Sequence, residues 1–400
     1  MAGSNIQSEE YKRTIEDATN MLICAKQKEE EVSSVTQVFY YPTESECKEN
    51  INNLRLFSID EEFIKKLESG ERFSFKGCNK EKIVFCTEDE TYEVKEGDIS
   101  NSLIICPNLL YNSDLQHNEN NERVLKQQTI YGVHHSYLEL RLTFPKLSKL
   151  KALLTEVEYT GPKENPDINN GYYFFELLDI IQCSRQQLQE NLKEIRALCL
   201  DDKWRGLNIT YETEVLSYMI SVMEKQKWDK IHGMEIKQIL NSIVPEFIID
   251  HILLYYTTQL SDDENLYTFK EDVVNRCFAE VLLKTAEGRF RYNEFIMAWE
   301  RCLNPVIKAD INHLKGLALI EKEEGQQKIV HLYPEYDLPE NISERFRLLF
   351  KRKEKWTLEE ITPYIERLAI KTMNVNTMLT KYTRSSNVNG RRLFSAKYVK

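Results

Sequence analysis

Apolar and polar positions change rhythm several times along this chain. Within residues 5–31, a charged stretch, Ile15, Met21, Leu22 and Ala25 recur loosely at helical spacing, which predicts an exposed amphipathic helix inside an N-terminal extension spanning residues 1–50. From residue 54 the rhythm shortens to that of strands, predicted over 54–59, 72–75, 82–86, 91–94 and 102–106. A brief helix capped by Asp60 and closed near Gly70 interrupts them. Polar residues 112–128 predict a long flexible loop, and 131–142 resume an extended pattern. Pro145 then opens a helix with Leu147, Leu150 and Leu154 on one face and Lys146, Lys149 and Lys151 on the other. A breaker-rich linker at residues 161–167 closes a β domain taken as residues 51–160.

Beyond that linker the apolar period is helical, in three predicted packages, each followed by short extended elements. The first, residues 161–260, carries Phe174, Phe175, Leu178 and Ile181 on one helix and Leu188, Leu192, Ile195 and Leu198 on the next, with Ser184 and Gln187 as a capping box between them. The second, residues 261–338, ends in a hairpin of residues 316–320 and 328–332. The third, residues 339–400, has a capping box of Thr357 and Glu360, a kinking Pro363, a helix with Val375, Met378, Leu379 and Tyr382 inward, and the hairpin signal Asn389-Gly390. Three short helices followed by a hairpin is the order of a winged helix, whose third helix can enter a major groove. The fold class is therefore α+β and multidomain, a β domain followed by a helical half of tandem winged-helix domains.

Composition narrows the chemistry. Thirteen glycines in 400 residues are few, and the closest pair, Gly70 and Gly77, is too widely spaced for a phosphate-binding P-loop or a dinucleotide fingerprint. The nine cysteines form no C-x-x-C and read as buried thiols of a reducing compartment. The charged N-terminus reads as no signal peptide, and the longest uncharged run, residues 99–113, is too short to span a membrane. The expected location is the nucleus or cytosol. The net charge of −11 divides sharply: residues 342–400 hold fourteen Lys and Arg against five Asp and Glu, a net of +9, and no acidic side chain follows Glu366. An acidic body repels a polyanion, whereas a basic terminal module neutralises phosphates.

The candidate nucleic-acid contacts are Lys371, Asn374, Asn376, Thr377, Lys381 and Arg384 around the third helix, with Arg391, Arg392 and Lys397 on the hairpin; they supply the donors that phosphates and base edges require. A docking face for an acidic protein is the competing reading of the same charges. His134 and His135 alternate across a strand and make a poor metal pair, and Cys78 and Cys86 could meet across a hairpin but lack further ligands. Glu88, Asp89 and Glu90 read as a turn, and Glu321, Glu323 and Glu324 as an acidic wing that packs or binds protein. With no catalytic signature present, the sequence points away from an enzyme.

Residues 345–365 (RFRLLFKRKEKWTLEEITPYI) with Leu379-Thr-Lys-Tyr resemble the sister-chromatid-cohesion Dcc subunit family of the alternative replication factor C clamp loader. Leu314-Lys-Gly-Leu-Ala-Leu, Tyr137-Leu-Glu-Leu-Arg with Pro145-Lys-Leu, and residues 84–92 with Ser100-Asn-Ser-Leu fit the same pattern in the same order, so the resemblance spans about residues 54–395. It implies a non-catalytic nuclear subunit without cofactor or metal. Its N-terminal β region would be barrel-like, shared with the large ATPase subunit and the small accessory subunit. Its winged helices would meet DNA, single-stranded or duplex, and the catalytic subunit of DNA polymerase epsilon. The complex would load or unload the PCNA sliding clamp at replication forks in support of cohesion. The rival from another class is a winged-helix transcription regulator; the first 160 residues, with a β domain whose edges need cover, favour an obligate assembly partner instead.

Overall fold

The computed structural model describes residues 13–28, 31–41, 54–78, 81–111, 113, 123–162, 170–260, 263–303, 306–322, 327–370, 373–388 and 390–397. The chain divides into two compact units, one of residues 1–70 and 94–141, the other of residues 71–93 and 142–400. The fold is mixed α+β. No helix among the described residues is long and apolar enough to cross a membrane.

Helix α1 (Ile15–Cys24) is opened by a capping box between Thr14 and Asp17, as its local sequence dictates. Next come β1 (Val35–Tyr40), β2 (Phe57–Ser58) and α2 (Glu61–Glu68), whose N-terminus Asp60 caps through Phe63 N–H. Strands β3 (Ser74–Cys78), β4 (Glu81–Cys86), β5 (Thr91–Ile105), β6 (Val124–Thr129) and β7 (Gly132–Thr143) complete this part. In the first unit β1 and β6 pair in parallel from Val35↔Val124 to Tyr40↔Thr129, and β2 lies parallel to β7. Gln37 ties the parallel pair down, its side chain bonding Leu110 N–H and C=O at 2.8 Å each and Gln128 Nε2 at 3.0 Å.

Three expectations change here. The strands form open sheets among the described residues, so the barrel-like domain is not closed within this chain. Residues 124–128, expected in a flexible loop, belong to strand β6, because its partner β1 lies far back in sequence where no local period announces it. The predicted strands over 91–94 and 102–106 are one strand of 15 residues, β5.

In the second unit, β3 and β4 form a hairpin that pairs with the start of β5 around Phe85, which contacts Phe73 and Phe75 at 5.2 and 5.0 Å. The register sets Cys86 opposite Ser74 and Cys78 opposite Glu81, so the two cysteines do not meet. The residues after Pro145 repeat one element order four times, not three. The first copy is α3 (Leu147–Glu156), β8 (Tyr172–Tyr173), α4 (Phe174–Ile181), α5 (Arg185–Glu194), β9 (Leu198–Leu200) and β10 (Lys203–Arg205). The second is α6 (Ile209–Gln226), β11 (Ile231–His232), α7 (Gly233–Leu240), α8 (Glu246–Tyr256), β12 (Thr257–Leu260) and β13 (Asp263–Phe269). The third is α9 (Glu271–Thr285), β14 (Arg289–Arg291), α10 (Tyr292–Leu303), a 3₁₀ turn (Ile311–Leu314), β15 (Ala318–Lys322) and β16 (Lys328–Leu332). The fourth is α11 (Ile342–Arg352), β17 (Trp356–Thr357), α12 (Leu358–Ile365), α13 (Val375–Tyr382), β18 (Thr383–Val388) and β19 (Arg391–Ala396). In each sheet the last strand sits between the other two.

Burial explains why each copy folds. Short apolar strands and two-turn helices cannot bury enough area alone, so the opening helices supply the interior: Leu150, Val215, Val274 and Leu349, one from each, are all 0% exposed. Charges accompany this packing. Arg196 meets the buried Glu212 at 3.4 Å, and Lys151 meets Glu280 at 3.9 Å while lying 3.2 Å over the Tyr336 ring. Lys151, on the α3 face away from the leucines, is packed as well, and burial draws its ammonium down to about 8 against the opposing pull of Glu280. Burial pushes the Glu280 carboxyl up, but Lys151 and Lys284, with the hydrogen bond from Tyr336, hold it below its ordinary value. Arg345, fully buried, pairs with Glu335 at 3.0 Å and donates to the carbonyls of Leu338, Pro339 and Tyr364. Arg367 joins the fourth copy to the first through Glu194 at 3.4 Å and Asn191 at 3.2 Å.

Candidate nucleic-acid interface

The third helix of each copy is the element that the winged-helix expectation would send into a groove, and the four differ. In the first copy α5 begins under the β3–β4–β5 segment: Thr91 Oγ1 donates to Gln187 Oε1 at 2.6 Å and accepts from Ser184 N–H at 2.8 Å, and Gln186 N–H reaches the Glu88 carbonyl at 3.2 Å. Lys76 adds a bond to the Cys183 carbonyl at 2.8 Å. The acidic trio at 88–90 is thus a turn with a docking role. In the second copy the exposed positions of α8 include Glu246, Asp250 and Leu254, acidic or apolar. In the third copy the element is a single 3₁₀ turn. Its wing residue Glu321 packs against the fourth copy, accepting from Arg352 at 2.8 Å; Glu323 and Glu324 lie outside the described residues.

In the fourth copy α13 is helical, and its exposed face carries no acidic side chain. Phe346 stacks on Tyr382 at 5.2 Å, Met378 and Leu379 are buried, and Trp356, 0% exposed, donates to the carbonyls of Leu349 and Lys353; together they anchor the inner face. The outer face presents Asn376, Thr377 and Lys381. Asn374 is the N-cap, its Oδ1 accepting from Thr377 N–H at 2.9 Å and Thr377 Oγ1 at 3.1 Å, so this candidate shapes the helix start and keeps only its amide NH₂ for a ligand. Lys371 lies outside the described residues. Lys397 folds back, its Nζ 3.5 Å from the Thr380 carbonyl.

The hairpin extends from this helix with little cover: every residue of β18 after Thr383 is exposed, and Gly390 takes the positive φ of +76° that the turn requires. Because neighbours alternate across a strand, Arg391 and Arg392 face opposite sides. The register sets Arg392 opposite Asn387, on the Phe394 side, with its guanidinium 5.2 Å from the Phe394 ring, and sets Arg391 opposite Val388 on the other side with Arg384. Among the described residues, Lys381, Arg384, Arg391 and Arg392 have no ion-pair partner. The described candidates thus all lie on α13 and its hairpin, with Arg391 and Arg392 divided between the two faces of the hairpin.

Elsewhere, no cluster of three or more metal-ligating side chains occurs among the described residues. A cleft of about 560 Å³ in the second copy is lined by Met234, Lys237, Asp250, Leu253 and Leu254, where Lys237 is ion-paired to Asp250 and Glu246.

Fold and surface together define a protein of repeated helix-and-sheet modules whose unpaired donors lie on an open exterior. A family model described as sister chromatid cohesion protein Dcc1 matches residues 54–365, and the chain belongs to that family. It is 33% identical to sister chromatid cohesion protein DCC1 of Danio rerio over 396 residues, 96% of this chain and 98% of that one. Identity is 32% to the Homo sapiens protein, covering 86% and 88% of the two chains, and 22% to that of Saccharomyces cerevisiae, covering 78% and 87%. The family match stops before α13 and the hairpin, whereas the fish relative aligns over nearly the whole chain.

Proposed function

We propose that this protein is a non-catalytic nuclear subunit of an alternative replication factor C clamp-loader complex, acting in sister chromatid cohesion by helping to load or unload PCNA at replication forks. Its four repeats have the element order and central last strand of winged helices, and the fourth serves as the DNA anchor. The observation that carries this reading is the set of unpaired, exposed cations on α13 and its hairpin, in a chain that is otherwise acidic. The relatives are named for cohesion, which favours this reading over a transcription regulator.

The N-terminal strands are the assembly region for the large ATPase subunit and the small accessory subunit. Exposed Leu103 and Ile104 on β5 in the first unit and, separately, exposed Phe75 and Ile83 on the β3–β4 hairpin of the second each support apolar patches completed by other chains. DNA polymerase epsilon is the proposed partner of the remaining helical surface.

The test is binding of the full chain to labelled duplex and single-stranded DNA across a salt series, beside the Arg391→Glu/Arg392→Glu variant. The expected result is a log–log slope of several phosphates and a loss of about tenfold in the variant, with unchanged thermal unfolding. Binding indifferent to the charge reversal overturns the anchor and leaves the +9 region as a protein-docking face.

A further inference from the structure

We propose that Ser386 is a phosphorylation site that switches this anchor off, an inference that rests on the DNA-binding reading above. Three observations converge on the residue. Strand β18 is the outer strand of its sheet, so its free edge is already in the extended form in which a kinase cleft takes a substrate. Ser385 and Ser386 are both exposed, and among the described residues neither hydroxyl has a hydrogen-bond partner. Two cations precede the acceptor, Arg384 two residues before and Lys381 five before, a pattern suited to a kinase whose peptide groove is acidic.

The register separates the two serines. Ser385 lies opposite the buried Phe394 on the inner face, whereas Ser386 lies opposite Leu393 on the outer face. Arg384 is two residues along the same strand on that face, about 7 Å away, and Arg391 is the diagonal neighbour across the ladder at about 7–8 Å. A phosphate on Ser386 Oγ therefore stands between two guanidinium groups that both reach it. In the transfer, the seryl oxygen bonds the γ-phosphorus of ATP, the bond from that phosphorus to the β–γ bridging oxygen breaks, ADP leaves, and the hydroxyl proton passes to the kinase's base. The product's charge of about −2 makes charge-assisted hydrogen bonds to Arg384 and Arg391 and removes both from DNA.

The experiment has two arms on the full chain. In the first, the catalytic subunit of cAMP-dependent protein kinase and ATP are added and the modified position is mapped by mass spectrometry. Phosphate is expected on Ser386, retained in Ser385→Ala and lost in Ser386→Ala; modification elsewhere only, or none, overturns the acceptor assignment. In the second, phosphoserine is encoded directly at 386 and duplex binding is measured against salt. The affinity is expected to fall about tenfold and the log–log slope to lose about 1.8, the share of two phosphate contacts. DNA binding that is normal in the unmodified chain and indifferent to phosphoserine overturns this inference alone. An unmodified chain that does not bind DNA overturns the functional reading and the switch with it.

Discussion

The interior of the helical unit and the hairpin at its end treat the same kinds of charge in opposite ways. Between the repeats, Arg196, Lys151, Arg345 and Arg367 are each matched to a carboxylate and, for Arg345, to three carbonyls as well. On the hairpin, Arg384, Arg391 and Arg392 have no such match among the described residues. A buried cation without a partner is costly, so the interior charges are fixed by packing and serve geometry. An exposed cation costs little to leave open and stays available to a polyanion. Identical chemistry is structural in one place and open to a ligand in the other, and burial decides which.

The largest effect expected from breaking this contrast is inside. Arg345→Met orphans Glu335 and three carbonyls and should cost about 3–5 kcal/mol, read by urea unfolding, with DNA binding lost as the fourth repeat loosens. A second effect is acid sensitivity confined to the interior. Burial, helped by the nearby Arg196 charge, holds the His251 imidazole down to about 4, so the folded protein keeps it neutral where the unfolded chain takes up a proton near pH 6.5. Stability should therefore fall as pH drops from about 6.5 towards 4. His251→Phe should remove about 2 kcal/mol of that loss at pH 5, seen by comparing unfolding of both proteins at pH 7.5 and 5. The smallest stability effect belongs to the hairpin: Arg392→Gln should stay within about 0.5 kcal/mol of the parent while weakening DNA binding several-fold, measured by unfolding and by fluorescence anisotropy.

The fourth repeat is legible in sequence because its signals are local. The Thr357–Glu360 capping box forms as written, and Pro363 is accommodated in α12 just before a 3₁₀ turn at Glu366–Leu368. The first repeat hides. Its opening helix α3 stands apart from β8, which inclines a reader to assign it to the β domain, and its strands are two or three residues long. One cue was present: Asp201-Asp202, both at positive φ, form the tight turn between β9 and β10, and an Asp pair flanked by Leu-Cys-Leu and Lys-Trp-Arg is a hairpin signal. Among the site residues, helical phase identified the exposed face of α13, but the N-cap use of Asn374 and the opposite sides of Arg391 and Arg392 depend on cap and register geometry. The packing of Lys151 is not legible in its own helix because its partners Glu280 and Tyr336 come from distant segments.

The second unit is discontinuous, since residues 71–93 belong to it although the segment 94–141 intervenes before the chain returns. Dissection of the protein must respect that. A fragment beginning at residue 142 keeps all four repeats yet discards Lys76, Glu88 and Thr91, the groups that cover the start of α5. Cys183 and Ser184, now 0% and 1% exposed, lose that cover in the fragment. Poor behaviour of such a fragment reports a missing strand pair, and a soluble expression unit for the helical part has to carry residues 71–93 as well.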